Sequence, residues 1–222
     1  MFNGHVTLPV LLVLGAGPGV GAAVASRFHD DGYRVVLAAR NIVRLAALAD
    51  ELRGAGAKIE TVRVDLTDEA GVRRVVEEVG RSHGHIDVLH FNPSAWRQQD
   101  PLGLGVEELI GDLRLGVAPL LPAVQAARPW MPAGARIVTT GSAAADKPWH
   151  EAAALGVQKA ALRNLVTSLD TTLAPDGIRA VNVQVDGVLS STGTFTPKNV
   201  AAAIHSAVRR EGAWTSLVHY PA

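Results

Sequence analysis

The run LLVLGAGPGVGAAVASRF, Leu11–Phe28, narrows the possible folds more than any other part of the chain. An apolar stretch of strand length leads into a glycine-rich turn and then into residues of helical period. Gly15, Gly19 and Gly21 give a G-x-x-x-G-x-G spacing, and Gly17, Gly19 and Ala22 give G-x-G-x-x-A. Both spacings have the same mechanical content: a tight turn, close approach of backbone to a pyrophosphate, and close packing of helix on strand. The position after a first strand and before a first helix favours a phosphate loop over a turn that merely packs. Gly15, Gly17, Gly19, Val20 and Gly21 are its expected contacts.

The same alternation continues along the chain. Strands are expected at Leu8–Leu14, Arg34–Ala39, Lys58–Val64, Ile86–Phe91, Ala135–Thr140, Ile178–Val185 and Trp214–His219. Helices are expected near Val20–Asp31, Val43–Gly54, Glu69–Ser82, Val106–Arg128, Ala152–Leu173 and Asn199–Arg210. Near-continuous apolar strands such as VVLAA imply burial on both faces, as in a parallel sheet covered by helices. Strict β-α alternation with right-handed crossovers gives a doubly wound, three-layer αβα sheet of Rossmann type, with ligands beyond the carboxyl ends of the strands. Pro119 and Pro122 should kink the fourth helix or delay its start. With no repeat, linker or low-complexity stretch, residues 1–222 are expected to form a single dinucleotide-binding domain.

Composition removes several function classes. The chain has 21 basic and 21 acidic residues, so its net charge gives no reason to expect nucleic acid or an anionic membrane as a partner. It has no cysteine, which excludes disulfides and thiolate chemistry and suits a cytoplasmic protein. The histidines show no metal-ligand spacing, so no metal is expected. The uncharged stretch Val6–Ala25 lacks a basic leader and is cut by five glycine and proline residues, so it reads as strand, loop and helix rather than a targeting segment. At the end of the second strand stand Ala38-Ala39-Arg40-Asn41, with no carboxylate for an adenosine 2′-hydroxyl. An arginine there favours a 2′-phosphate, hence NADP(H) over NAD(H); the alternative is that Arg40 is a plain surface arginine.

Taken in order, the motifs resemble those of the short-chain dehydrogenase/reductase family across nearly the whole chain. Besides the glycine loop, Asp65-Leu66 resembles the family's adenine-contacting pair. DVLHFNPSA resembles D-V-L-V-N-N-A-G, keeping Asn92 but not its neighbours. RIVTTGSAAA resembles the segment of the catalytic serine, at Ser142, and Lys159 follows at the family's spacing. The resemblance implies that serine binds a carbonyl oxygen, tyrosine exchanges the proton, lysine lowers the tyrosine pKa and holds the nicotinamide ribose, and an asparagine supports a water relay. By the same resemblance the tyrosine position is Leu155 and the asparagine position Gly116. A subgroup with L-G-V-x-K in place of Y-x-x-x-K is similar in both this motif and its C-terminal tail. The family also implies a homodimer or homotetramer, paired through its fourth and fifth helices and its last strand.

Losing an acid–base group removes about 10²–10⁴-fold in rate, so the question is whether another acid took over. Asp186 stands where the family has a proline beside the nicotinamide. A partly buried carboxyl there would donate a proton and repel anionic substrates; the alternative is a turn aspartate capping backbone amides. His150 lies in the loop between Ser142 and Lys159, His90 in a strand interior, and Tyr220 near the C-terminus. The short Leu189–Thr196 segment, within a substrate loop near 186–197, implies an open site, a large substrate or none. Three functions follow: an NADP(H)-dependent oxidoreductase on a carbonyl or alcohol with a displaced acid; a silent NADP-binding regulatory or partner protein; and a non-redox enzyme reusing the pocket.

Overall fold

The computed structural model describes residues 7–54 and 58–221. Val6, where the uncharged stretch begins, and the ends of the expected 1–222 domain lie outside the described residues. Seven strands form one sheet: β1 Val10–Leu14, β2 Arg34–Ala39, β3 Ile59–Arg63, β4 Val88–Phe91, β5 Arg136–Ser142, β6 Arg179–Val185 and β7 Leu217–Tyr220. Their order is β3-β2-β1-β4-β5-β6-β7 and every neighbouring pair is parallel. The helices are α1 Val20–Asp30, α2 Ile42–Gly54, α3 Glu69–His83, α4 Val106–Gly116, α5 Leu120–Ala127, α6 Ala153–Leu173 and α7 Pro197–Val208. This is a single doubly wound α/β domain of Rossmann type.

The two-residue period of a strand divides the core between the faces of the sheet. Leu12 and Leu14 of β1 pack with Val72, Val76, Leu120 and Leu162 under α3, α5 and α6. Leu11 and Val13 of the same strand pack with Val24, Phe28, Leu45 and Ile204 under α1, α2 and α7. Every residue of β1 and β4 is buried, which is why these strands read as unbroken apolar runs.

One expected helix is two. Chain Val106–Arg128 breaks after Gly116, and α5 restarts behind Pro119. Pro119 occupies the N-cap and Pro122 the first turn, where a missing N–H leaves no intrahelical bond unmade. Among the described residues, the run Val106–Trp130 that contains this break is long and apolar enough to cross a bilayer by length and composition alone. Here α5 packs on α3 and α4 on α6.

Connections from β1 and β4 leave on opposite sides, so a crevice opens between their carboxyl ends. The turn after β1 is held to β2 by the Gly15 and Ala16 amides, both donating to the Ala38 carbonyl at 3.0 and 3.1 Å. Gly15 has φ +81°, and a Cβ there would lie 2.9 Å from the Pro93 nitrogen. Only glycine suits both conditions.

Candidate active site

A cavity of about 640 Å³ occupies that crevice. It is lined by Gly17, Gly19, Val20 and Gly21 from the first turn, by Asn92 after β4, and by Ser142, Leu155 and Lys159. Residues far apart in sequence are therefore brought to one wall. A Cβ on Gly17 or Gly19 would meet nothing within 4 Å, so the loop presents bare backbone to open space. α1 has no side-chain cap and no acidic residue in its first turn, which leaves its partial positive charge available to an anion.

Thr140, at the end of β5, organises the floor. Its hydroxyl donates to Asn92 Oδ1 at 2.8 Å, while Asn92 Nδ2 donates to the Gly15 carbonyl at 3.1 Å. With its proton committed to Asn92, the Thr140 oxygen accepts from His90 Nε2, 3.0 Å away. The ring proton therefore sits on Nε2, and Nδ1 has no hydrogen-bond partner. Burial pushes the His90 pKa down to about 3, so the imidazole is neutral. Asn92 thus ties the glycine turn to the strand ends with both ends of its amide.

Lys159 Nζ donates to the Thr140 carbonyl at 3.0 Å. The side chain is 4% exposed, and among the described residues it forms no ion pair. Burial lowers its pKa to about 8. A lysine has three donors, so an ammonium in this wall can face the cavity with the rest. α6 comes this close because position 156 is glycine: a Cβ there would meet the Ala144 carbonyl at 3.0 Å. Ser142 Oγ accepts from the Ala144 amide at 3.2 Å, which leaves its hydroxyl proton free to donate into the cavity.

Leu155 lines the same cavity four residues before Lys159. Gly116 is not a vacant place for an amide. A Cβ there would lie 2.3 Å from the Gln158 side chain, which is fully buried. Gln158 Oε1 accepts from Ser94 Oγ and the Ala95 amide, each at 3.3 Å, and its Nε2 donates to the Asp112 carbonyl. An amide from α6 thus fills the space beside α4. Sequence reading missed it, because the signal is a pairing of small and large residues across two helices.

Asp186 is exposed at the end of β6. Its carboxylate accepts from Gln184 Nε2 at 3.0 Å and meets His219 Nδ1 at 2.8 Å, and it does not line the cavity. Strand β7 sets His219 beside it, a contact that no local pattern announces. His150 is exposed and also lies off the cavity wall. Tyr220 donates to the Thr194 carbonyl at 2.9 Å and packs edge-on against Phe195, holding the loop after β6.

The nucleotide-base side is a second cavity of about 510 Å³, lined by Gly17, Ala39, Asn41, Arg44 and Glu51 among others. Arg40 is exposed at the end of β2 and does not line it; Arg44, which sequence reading passed over, does. Asn41 Oδ1 accepts from the Arg44 amide at 3.0 Å and starts α2. Asp65 and Leu66 follow β3 outside both cavities. Leu66 is buried, and Asp65 is held below the usual carboxylate range by the Thr67 amide and hydroxyl, with Arg40 and Arg63 adding to the effect.

A buried ammonium without a counter-ion destabilises the fold. Below pH 8 folded and unfolded chains both carry the Lys159 proton, and the folded one bears the whole burial penalty, up to about 3 kcal/mol. Between pH 8 and 10.5 the unfolded state holds more protons, so stability rises with pH and the penalty fades. Lys159→Met is therefore expected to raise Tm by about 2–6 °C at pH 7, after loss of one hydrogen bond, with the gain vanishing near pH 10.5. Thermal denaturation across pH checks this; a lower Tm at pH 7 contradicts it.

The short chain dehydrogenase family model matches residues 9–200. A short chain dehydrogenase/reductase of Colletotrichum higginsianum is 32% identical over 188 residues, 82% of this chain and 69% of that protein. An NADPH-dependent 1-acyldihydroxyacetone phosphate reductase of Schizosaccharomyces pombe is 31% identical over 174 residues; the match covers 77% of this chain and only 56% of that protein. Among solved structures, a metagenomic short-chain oxidoreductase in complex with NADP superposes with a TM-score of 0.85 at 26% identity, covering 95% of this chain and 96% of the other. Sheet order, glycine turn and extent of match agree, and the chain belongs to the short-chain dehydrogenase family.

Proposed function

We propose that the chain is an NADP(H)-dependent oxidoreductase acting on a carbonyl or alcohol, with Leu155 at the family's tyrosine position and Lys159 as the proton-holding group. The observation that carries this reading is the meeting of the glycine loop, Ser142 and Lys159 on one cavity. The names of the Schizosaccharomyces and metagenomic proteins support NADP(H).

The residues present fit a dinucleotide phosphate. Gly17 and Gly19 leave space for a pyrophosphate against the start of α1, and Arg40 and Arg44 supply positive charge at the end of β2 for a 2′-phosphate. When bound, the reduced nicotinamide supplies a hydride. Ser142 Oγ donates a hydrogen bond to the substrate carbonyl oxygen. Lys159 Nζ holds a proton at the same wall, and burial lets it release that proton near neutrality instead of several pH units higher. Leu155 excludes water beside it. His90, neutral and shut behind Thr140, takes no part in proton transfer.

The expected assembly is a homodimer or homotetramer through α4 and α6, where Val106 and Val157 are 72% and 46% exposed. Sedimentation at the monomer mass contradicts that.

A panel of aldehydes and ketones tests the activity by loss of NADPH absorbance. Reduction is expected to fall at least about 100-fold in Ser142→Ala. In the unaltered protein kcat is expected to decline as pH rises through the Lys159 pKa, since the acid form is the donor. A chain that binds NADPH and turns over no carbonyl is a silent binding protein. A rate unchanged in Ser142→Ala contradicts the assignment of the serine.

A further inference from the structure

Trp96 and Trp149 stand at the mouth of the large cavity, 60% and 44% exposed. Their ring centroids are 5.4 Å apart and the rings are tilted by 49°. Val188 and Leu189, from the loop after β6, line the same cavity and are also exposed. A concentration of large apolar side chains around one opening is unfavourable in water until something covers it.

The loops that carry the tryptophans are held from behind. Beside Trp96, the Ala95 amide donates to Gln158, and the Arg97 guanidinium grips both oxygens of Asp112 and one of Glu108. Trp149 Nε1 donates to Glu151 Oε2 at 3.1 Å, and the Ala153 amide donates to the Gln99 carbonyl, joining the two loops. Loops held in this way lose little freedom when a ligand is met. Among the described residues, the ionisable side chains lining the cavity are Lys147 and Lys159. Asp186, which would have repelled an anion, is turned to His219. Lys147 is exposed near Trp149 in sequence and forms no ion pair among the described residues.

We infer that this mouth binds the body of the substrate, a flat aromatic carbonyl compound bearing an anionic group, with its rings against Trp96 and Trp149 and its anion beside Lys147. Stacking and edge contacts favour an aromatic ring over a saturated one of similar bulk, and Lys147 favours an anion over a neutral ester. The carbonyl in this assignment rests on the oxidoreductase reading above; the aromatic and anionic parts do not.

The test is calorimetric titration of the whole chain, with and without NADPH, using three probes: 6-acetyl-2-naphthoate, its methyl ester, and 4-acetylcyclohexanecarboxylate. The naphthoate is expected to bind at least about tenfold more tightly than either other probe. Trp149→Ala should remove the preference over the cyclohexane acid, and Lys147→Met the preference over the ester. Equal affinities, no binding of the naphthoate, or preferences unchanged in both variants overturn the assignment. Selective binding with no oxidation of NADPH leaves the assignment standing and removes the oxidoreductase reading. Reduction of the cyclohexane acid in preference to the naphthoate does the reverse.

Discussion

Thr140 joins the parts on which the site depends. Its hydroxyl links His90 in β4 to Asn92, and through Asn92 to the glycine turn after β1, while its carbonyl receives Lys159 from α6. Three segments that share no local sequence are fixed to β5 by one residue near its carboxyl end. The chain of donors is also directional: each proton has one acceptor, so the tautomer of His90 and the orientation of Asn92 follow from the geometry. These hydrogen bonds are partly buried, where the lower local dielectric strengthens them.

Burial of the side chain accounts for the lowered pKa of Lys159. An ammonium buried without a carboxylate is held at a loss to stability, and such arrangements persist in proteins mainly where function needs a shifted pKa. Gly156 and Gly116 are part of the same arrangement. One lets α6 approach the loop after β5, and the other makes room for Gln158 next to Lys159. The wall that presents Lys159 is thus built from two missing side chains and one buried amide.

Much of the fold was legible in the sequence, for physical reasons that differ by element. β2 was readable to the residue because it is apolar and bounded by polar positions, and the break before α5 because proline forbids the alternative. The glycine turn announced itself, since only bare backbone serves there. What escaped depends on contacts between distant segments. Asp186 reads as either a proton donor or a turn aspartate, and its contact with His219 depends on β7, while Gly116 reads as a missing asparagine although Gln158 fills its space. Arg44 was overlooked because a helix start places it over the base-side cavity, whereas the strand end drew attention to Arg40.

The central claim is that this crevice holds a phosphorylated nicotinamide dinucleotide. Energy transfer from the tryptophans to bound NADPH or NADH measures it directly, with no need of a substrate. The account predicts binding of NADPH at least about tenfold tighter than NADH, a preference that disappears when Arg40 and Arg44 are both replaced by alanine. Equal binding of the two nucleotides contradicts the assignment of the arginines. Binding of neither contradicts the claim itself.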